Sequence, residues 1–68
     1  MRIELNGKPL EFGRQGESRL SDLIAKFRSA PEGIAVAINQ EIISKKDWGN
    51  VILNENDQIL IITASQGG

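Results

Sequence analysis

Asn54-Glu55-Asn56-Asp57-Gln58-Ile59-Leu60-Ile61-Ile62-Thr63 passes from four polar residues into the most apolar run of the chain. The polar four read as a turn. Gln58 to Thr63 reads as a strand, and its apolar character is that of a central one. Side chains alternate along a strand, so Ile59 and Ile61 share one face while Leu60 and Ile62 share the other with Gln58 and Ala64. Gln58 marks the second face as the less buried. Beyond the strand lies Ser65-Gln66-Gly67-Gly68, polar and poor in side chains. The expected organisation is therefore one domain over residues 1–64 and a flexible tail over 65–68.

Working back to the N-terminus, Met1, Ile3 and Leu5 alternate with Arg2, Glu4 and Asn6, the period-two pattern of a half-buried strand. Asn6-Gly7 is a strong hairpin signal, and Leu10-Glu11-Phe12 continues the alternation on the return. Pro9 has no N–H to give to a ladder, which puts that second strand at an edge. After a loop from Gly13 to Glu17, Ser18 is expected to cap a helix whose Leu20, Leu23, Ile24 and Phe27 form one apolar stripe. Asp22 early and Lys26 and Arg28 late suit the helix dipole, and Ala30-Pro31-Glu32-Gly33 is expected to end it.

Ile34 to Ile38 reads as a third strand, with Ile34, Val36 and Ile38 on one face and Ala35 and Ala37 on the other. Asn39-Gln40-Glu41 turns the chain, and Ile42-Ile43 begins a short fourth strand. Ser44-Lys45-Lys46-Asp47 resembles a capped helical first turn. Trp48 is expected to plug one end of the core, since no polar constellation accompanies it. The order β-β-α-β-β in so short a chain predicts an α+β fold, a mixed sheet of four to five strands covered by one helix.

Composition narrows the function. At 68 residues with a hydrophobic fraction of 40%, the chain is a single domain near the lower size limit for a self-sufficient core. It has no cysteine and no histidine, which removes thiol nucleophiles, thiolate metal sites and the usual general base. A net charge of -1, with two Phe and one Trp, does not make the basic, aromatic-studded surface of a nucleic-acid binder. No segment reaches membrane-spanning length, and the alternating N-terminus is unlike a signal peptide. The expectation is a cytoplasmic protein, monomeric alone, without nucleic-acid or membrane partners, that is not itself an enzyme.

Ala35-Val36-Ala37-Ile38-Asn39-Gln40-Glu41-Ile42-Ile43, Trp48, Asn56-Asp57-Gln58-Ile59-Leu60-Ile61-Ile62 and Gly67-Gly68 together resemble the ThiS family, the sulfur carriers of thiamine (thiazole) biosynthesis. The resemblance spans the length of the chain and implies the β-grasp, or ubiquitin-like, fold. Two departures stand out: Ser65-Gln66 where the family often has a small hydrophobic approach to the glycines, and Asn56 where it often has Gly. Asn tolerates the left-handed backbone such a turn requires.

The resemblance implies that the Gly68 carboxylate is adenylated and converted to a thiocarboxylate. A free carboxylate is a poor acyl donor, because its charge repels nucleophiles and oxide is a bad leaving group. Condensation with ATP removes both obstacles, and a sulfur nucleophile can then displace AMP. ATP would be used by a partner, an adenylating enzyme resembling ubiquitin-activating enzymes (ThiF-like). A sulfur donor protein and a thiazole synthase (ThiG-like) complete the implied partners. The chain itself has no GxxxxGK[ST] phosphate loop and is expected to bind no cofactor or metal. Gly67 contributes slenderness, Gln66 and Ser65 the approach, and four extended residues span about 13 Å. Polar Arg2 and Glu4 on the first strand argue against helix cover on the Leu60 side. Leu60 and Ile62, with Ala37, are thus expected to form an exposed docking patch beside the root of the tail. Three alternatives stay open: the small subunit of molybdopterin synthase, a ubiquitin-like protein modifier, and a non-covalent β-grasp interaction module.

Overall fold

The first two strands, β1 (Arg2–Leu5) and β2 (Lys8–Glu11), form an antiparallel hairpin in which Leu5 faces Lys8 and Glu4 faces Pro9. Asn6 and Gly7 both adopt positive φ, 50° and 82°. That is the type I′ geometry, whose twist matches the strands it joins. These strands belong to a computed structural model that describes residues 1–27 and 33–63. Expectations about Arg28, the Ala30-Pro31-Glu32 helix stop, Ala64, the boundary after residue 64, and Ser65, Gln66, Gly67 and Gly68 lie outside the described residues.

The sheet is completed by β3 (Ile34–Ile38), β4 (Glu41–Ile43) and β5 (Gln58–Thr63), in the spatial order β2-β1-β5-β3-β4. The most apolar strand is central, as its composition predicts, and Pro9 sits at an edge. β5 runs parallel to β1 and antiparallel to β3, so the sheet is mixed. The second hairpin, between β3 and β4, turns at Asn39 and Gln40, again with both φ positive, 50° and 75°. Among the described residues there are five strands, and α1 (Leu20–Phe27) packs across one face of them. This is the α+β, β-grasp arrangement.

Between α1 and the sheet lies a core of Ile3, Leu20, Leu23, Ile24, Val36, Ile38, Leu53 and Ile59, with Trp48 closing it. Trp48 sits in a 3-10 turn (Lys45–Asn50) and donates its indole N–H to the Ile43 carbonyl at 3.0 Å. Its polar atom is thus satisfied while the ring is buried.

Three local expectations are corrected. Ser18 does not cap α1: it lies one residue too early, and its buried Oγ accepts the Arg14 N–H at 3.0 Å. The cap is made from the other side, where Asp22 Oδ2 accepts the Arg19 N–H at 3.0 Å, the return half of a capping box. Ser44 precedes the 3-10 turn but makes no side-chain capping bond; its carbonyl accepts the Asp47 N–H at 2.8 Å instead. Phe27, placed by periodicity on the core stripe, is 42% exposed, with the Lys26 ammonium 5.9 Å from its ring centroid. Leu53, which the sequence pattern left unassigned, is fully buried. Hydrogen bonds from Leu53 N to Ser18 O and from Leu20 N to Val51 O, at 2.8 and 2.9 Å, hold it under the helix start.

Candidate docking face

Among the described residues, the sheet face away from α1 is left uncovered. Registers place Gln58, Leu60 and Ile62 of β5 on it, beside Ala37 and Ala35 of β3, Ile42 of β4, and Glu4 and Arg2 of β1. The alternation read from sequence holds through β5: Ile59 is 2% exposed, whereas Leu60 and Ile62 are 46% and 47% exposed. Leu60 and Ile62 are exposed as the alternation requires, with one correction and one addition to the residues around them. Ala37 lies on this face opposite Leu60, but it is buried, so it forms floor and not contact surface. A methyl group between Leu60 on one side and Ile42 on the other is overtopped by both.

Ile42 is the addition, at 66% exposure the most accessible large aliphatic among the described residues. It lies in a cross-strand row with Ala37 and Leu60. Ile42-Ile43 signals a strand but not which of the two faces outward; only the pairing of Ala37 with Ile42 settles that. Three large exposed aliphatics on one sheet face make a contiguous apolar surface of the kind found at interaction sites.

The strand that carries this face is pinned at both ends of its contact with β1. At its start, Asp57 Oδ2 accepts the Asn54 N–H at 2.8 Å, and Asp57 Oδ1 accepts the Asn39 amide at 2.9 Å. Asn39 Oδ1 in turn accepts the Gln58 N–H at 3.0 Å. Two polar turns are thereby locked to each other, which explains why Asp57 can be buried. Asn56, at φ 72°, supplies the left-handed residue of the Asp57 turn. Farther along, where β1 has ended, Asn6 Oδ1 accepts the Ile61 N–H at 2.8 Å and continues the ladder. These bonds fix the direction in which β5 delivers the chain at Thr63, five residues before Gly68.

Polar groups on the face gather along β1 and at the start of β5, at Arg2, Glu4 and Gln58. Arg2 Nε meets Glu11 Oε1 at 3.3 Å on the solvent side, a pair worth little in stability. Among the described residues no group of three or more carboxylate, imidazole or thiol side chains stands close enough to hold a metal ion.

The ThiS family model matches residues 2–68. The whole of this chain is 35% identical to part of a thiazole synthase of Magnetococcus marinus, and spans only 20% of that protein's length. Over 47 residues it is 34% identical to the sulfur carrier protein ThiS of Escherichia coli, covering 69% of this chain and 71% of that one. Among solved structures, the crystal structure of the thiamine biosynthesis protein ThiS from Geobacter metallireducens superposes with a TM-score of 0.83 over the full length of both chains, at 20% identity. A solution structure of a thiamine biosynthesis protein from the same organism gives 0.78, covering all of this chain and 88% of the other, also at 20% identity. At that identity the structural likeness speaks for the fold, and the family match and the Escherichia coli relative speak for descent: the chain belongs to the ThiS family.

Proposed function

We propose that this chain is a sulfur carrier for thiazole formation in thiamine biosynthesis, with the sulfur held as a thiocarboxylate on Gly68. The observation that carries this reading is the family match, which runs through residue 68 and so takes in Gly67 and Gly68. The open face supports it: Leu60 and Ile62 stand on the strand that leads into those residues, accessible to a partner that must grip the domain while working on the tail.

In this scheme the Gly68 carboxylate attacks the α-phosphorus of ATP and pyrophosphate leaves. A hydrosulfide equivalent from a sulfur donor protein then attacks the carbonyl carbon of the acyl-adenylate, and AMP departs with the bonding electrons. The chain is a co-substrate and not an enzyme. ATP, metal and acid–base groups belong to an adenylating enzyme resembling ubiquitin-activating enzymes. Gly67, lacking Cβ, lets the segment enter a channel too narrow for a substituted residue. The acceptor is a thiazole synthase; the relative from Magnetococcus marinus, a thiazole synthase matched along this whole chain, supports that choice.

Incubation with the adenylating enzyme, ATP and a sulfur source is expected to replace one oxygen by one sulfur in the intact mass. Deleting Gly68, or placing one residue after it, is expected to abolish the change with the fold intact. A normal gain in the extended variant without trimming would overturn the assignment to Gly68.

A further inference from the structure

On the open face, at the start of β5, a notch lies between the two hairpin turns. It is lined by Glu4, Gly7, Ala37, Gln40, Gln58, Ile59 and Leu60, holds about 190 Å³ and is open to solvent on one side. We propose that this notch is a socket for one arginine side chain of a protein that docks on the face. The proposal rests on the carrier reading for the identity of that protein, but not for the chemistry of the socket.

Charge argues for a cation. Arg2 on this face pairs through its Nε with Glu11, whereas the carboxylate of the half-buried residue Glu4 makes no hydrogen bond or ion pair among the described residues. The side-chain amides of Gln40 and Gln58 are equally without protein partners there. One carboxylate and two amide oxygens are three acceptors around a floor of Ala37 and a wall of Leu60. A guanidinium, planar and with five donors, can meet a carboxylate with two parallel bonds and still donate to flanking amides, while its three-carbon stem lies along an aliphatic wall. An ammonium would meet the same groups only as a point charge.

Backbone conformation supplies an independent argument. Gln40 occupies the second position of a type I′ turn at φ 75°, where Gly is the preferred residue. A side chain there is held against a steric penalty, and this one lines the notch. Gly7, at the matching position of the other turn, has no atom within 4 Å of where a Cβ would stand, so that side of the notch is open to entry. Gln58 and Thr63 bound the strand, so the socket lies about 16 Å from the exit of β5. An arginine anchored at one end and the tail at the other would fix the rotation of the docked domain, which the flat contact with Leu60, Ile62 and Ile42 alone does not.

The test is an amide NMR titration of the full chain with Nα-acetyl-arginine methylamide at low salt, with the lysine and norleucine analogues in parallel. Saturable shifts are expected at Glu4, Gly7, Gln40, Gln58 and Leu60, weaker for lysine and absent for norleucine. Glu4→Gln is expected to weaken binding by about three- to tenfold, the loss of one charge-assisted contact at a half-exposed site. Gln40→Gly is expected to raise the melting temperature while weakening the probe, a pairing of signs that a merely structural residue does not give. No saturable shift, shifts centred elsewhere, lysine binding as well as arginine, or undiminished binding to Glu4→Gln would each overturn the socket. The mass gain at Gly68, measured separately, tests the carrier reading whatever the probe does.

Discussion

Leu60→Asp separates docking from folding most sharply. Burying a whole leucine side chain contributes about 1.5–3 kcal/mol. Leu60 is 46% exposed, so roughly half of that, about 0.7–1.5 kcal/mol, remains for a partner to gain. An aspartate at the same place loses this gain and also brings a carboxylate into an apolar contact, costing about 1–3 kcal/mol for the unpaired group. The expected loss of affinity for the adenylating enzyme is about 2–4 kcal/mol, or roughly 30- to 1000-fold in Kd. Folding loses only the packing already present, about 0.7–1.5 kcal/mol, plus up to about 1 kcal/mol for aspartate in a strand. A domain of this length is expected to hold about 3–10 kcal/mol in all, so the variant stays folded. Calorimetric titration against the enzyme, with urea unfolding of the free domain, reads both quantities. Leu60→Ala, which removes area without adding charge, is expected to fall between. Affinity for Leu60→Asp within about threefold of wild type, in a folded protein, would refute the docking face. Unfolding of the variant would refute its exposure.

Leu23→Ala removes a fully buried side chain from α1 and is expected to cost about 2–5 kcal/mol, read by urea denaturation. A cost under about 1 kcal/mol would contradict the core described. Asp57→Ala leaves the Asn54 N–H and the Asn39 amide without their acceptor and is expected to cost about 1–3 kcal/mol. Amide exchange should accelerate first at Asn54 and Gln58, and uniform acceleration would deny the latch a local role. Gly67→Val is expected to leave the melting temperature unchanged while blocking sulfur loading in the mass assay; loss of the fold would make residue 67 structural.

Element identities were legible in this sequence wherever the pattern was long or the turn chemistry explicit. The alternation of Met1 to Asn6, the Asn6-Gly7 turn and the apolar run Gln58–Thr63 each named a strand and its inner face, and Pro9 named an edge. What periodicity could not carry was information that depends on pairing. The outward face of Ile42 follows from its register with Ala37, and the burial of Ala37 follows from the bulk of its two neighbours. Leu53 escaped because its strand-like contact is a single bridge between Arg19 and Ile52, too short to leave a pattern. Ser18 went astray at the helix start, where one residue of offset moves a cap, and Phe27 because the spacing that puts it in line with Leu20, Leu23 and Ile24 does not by itself bury it. The notch was illegible for the same reason as the latch between Asn39 and Asp57. Each joins residues far apart in sequence, and nothing in either segment alone announces the meeting.

Transfer of labelled sulfur tests the central claim most directly. The chain, loaded with 34S by the adenylating enzyme and purified, is mixed in a single turnover with a thiazole synthase and its remaining substrates. The account predicts that 34S appears in the thiazole product while the carrier returns to its carboxylate mass, and that the variant lacking Gly68 delivers none. Label that stays on the carrier, or that leaves it only as the chain becomes joined to lysines of other proteins, would contradict it.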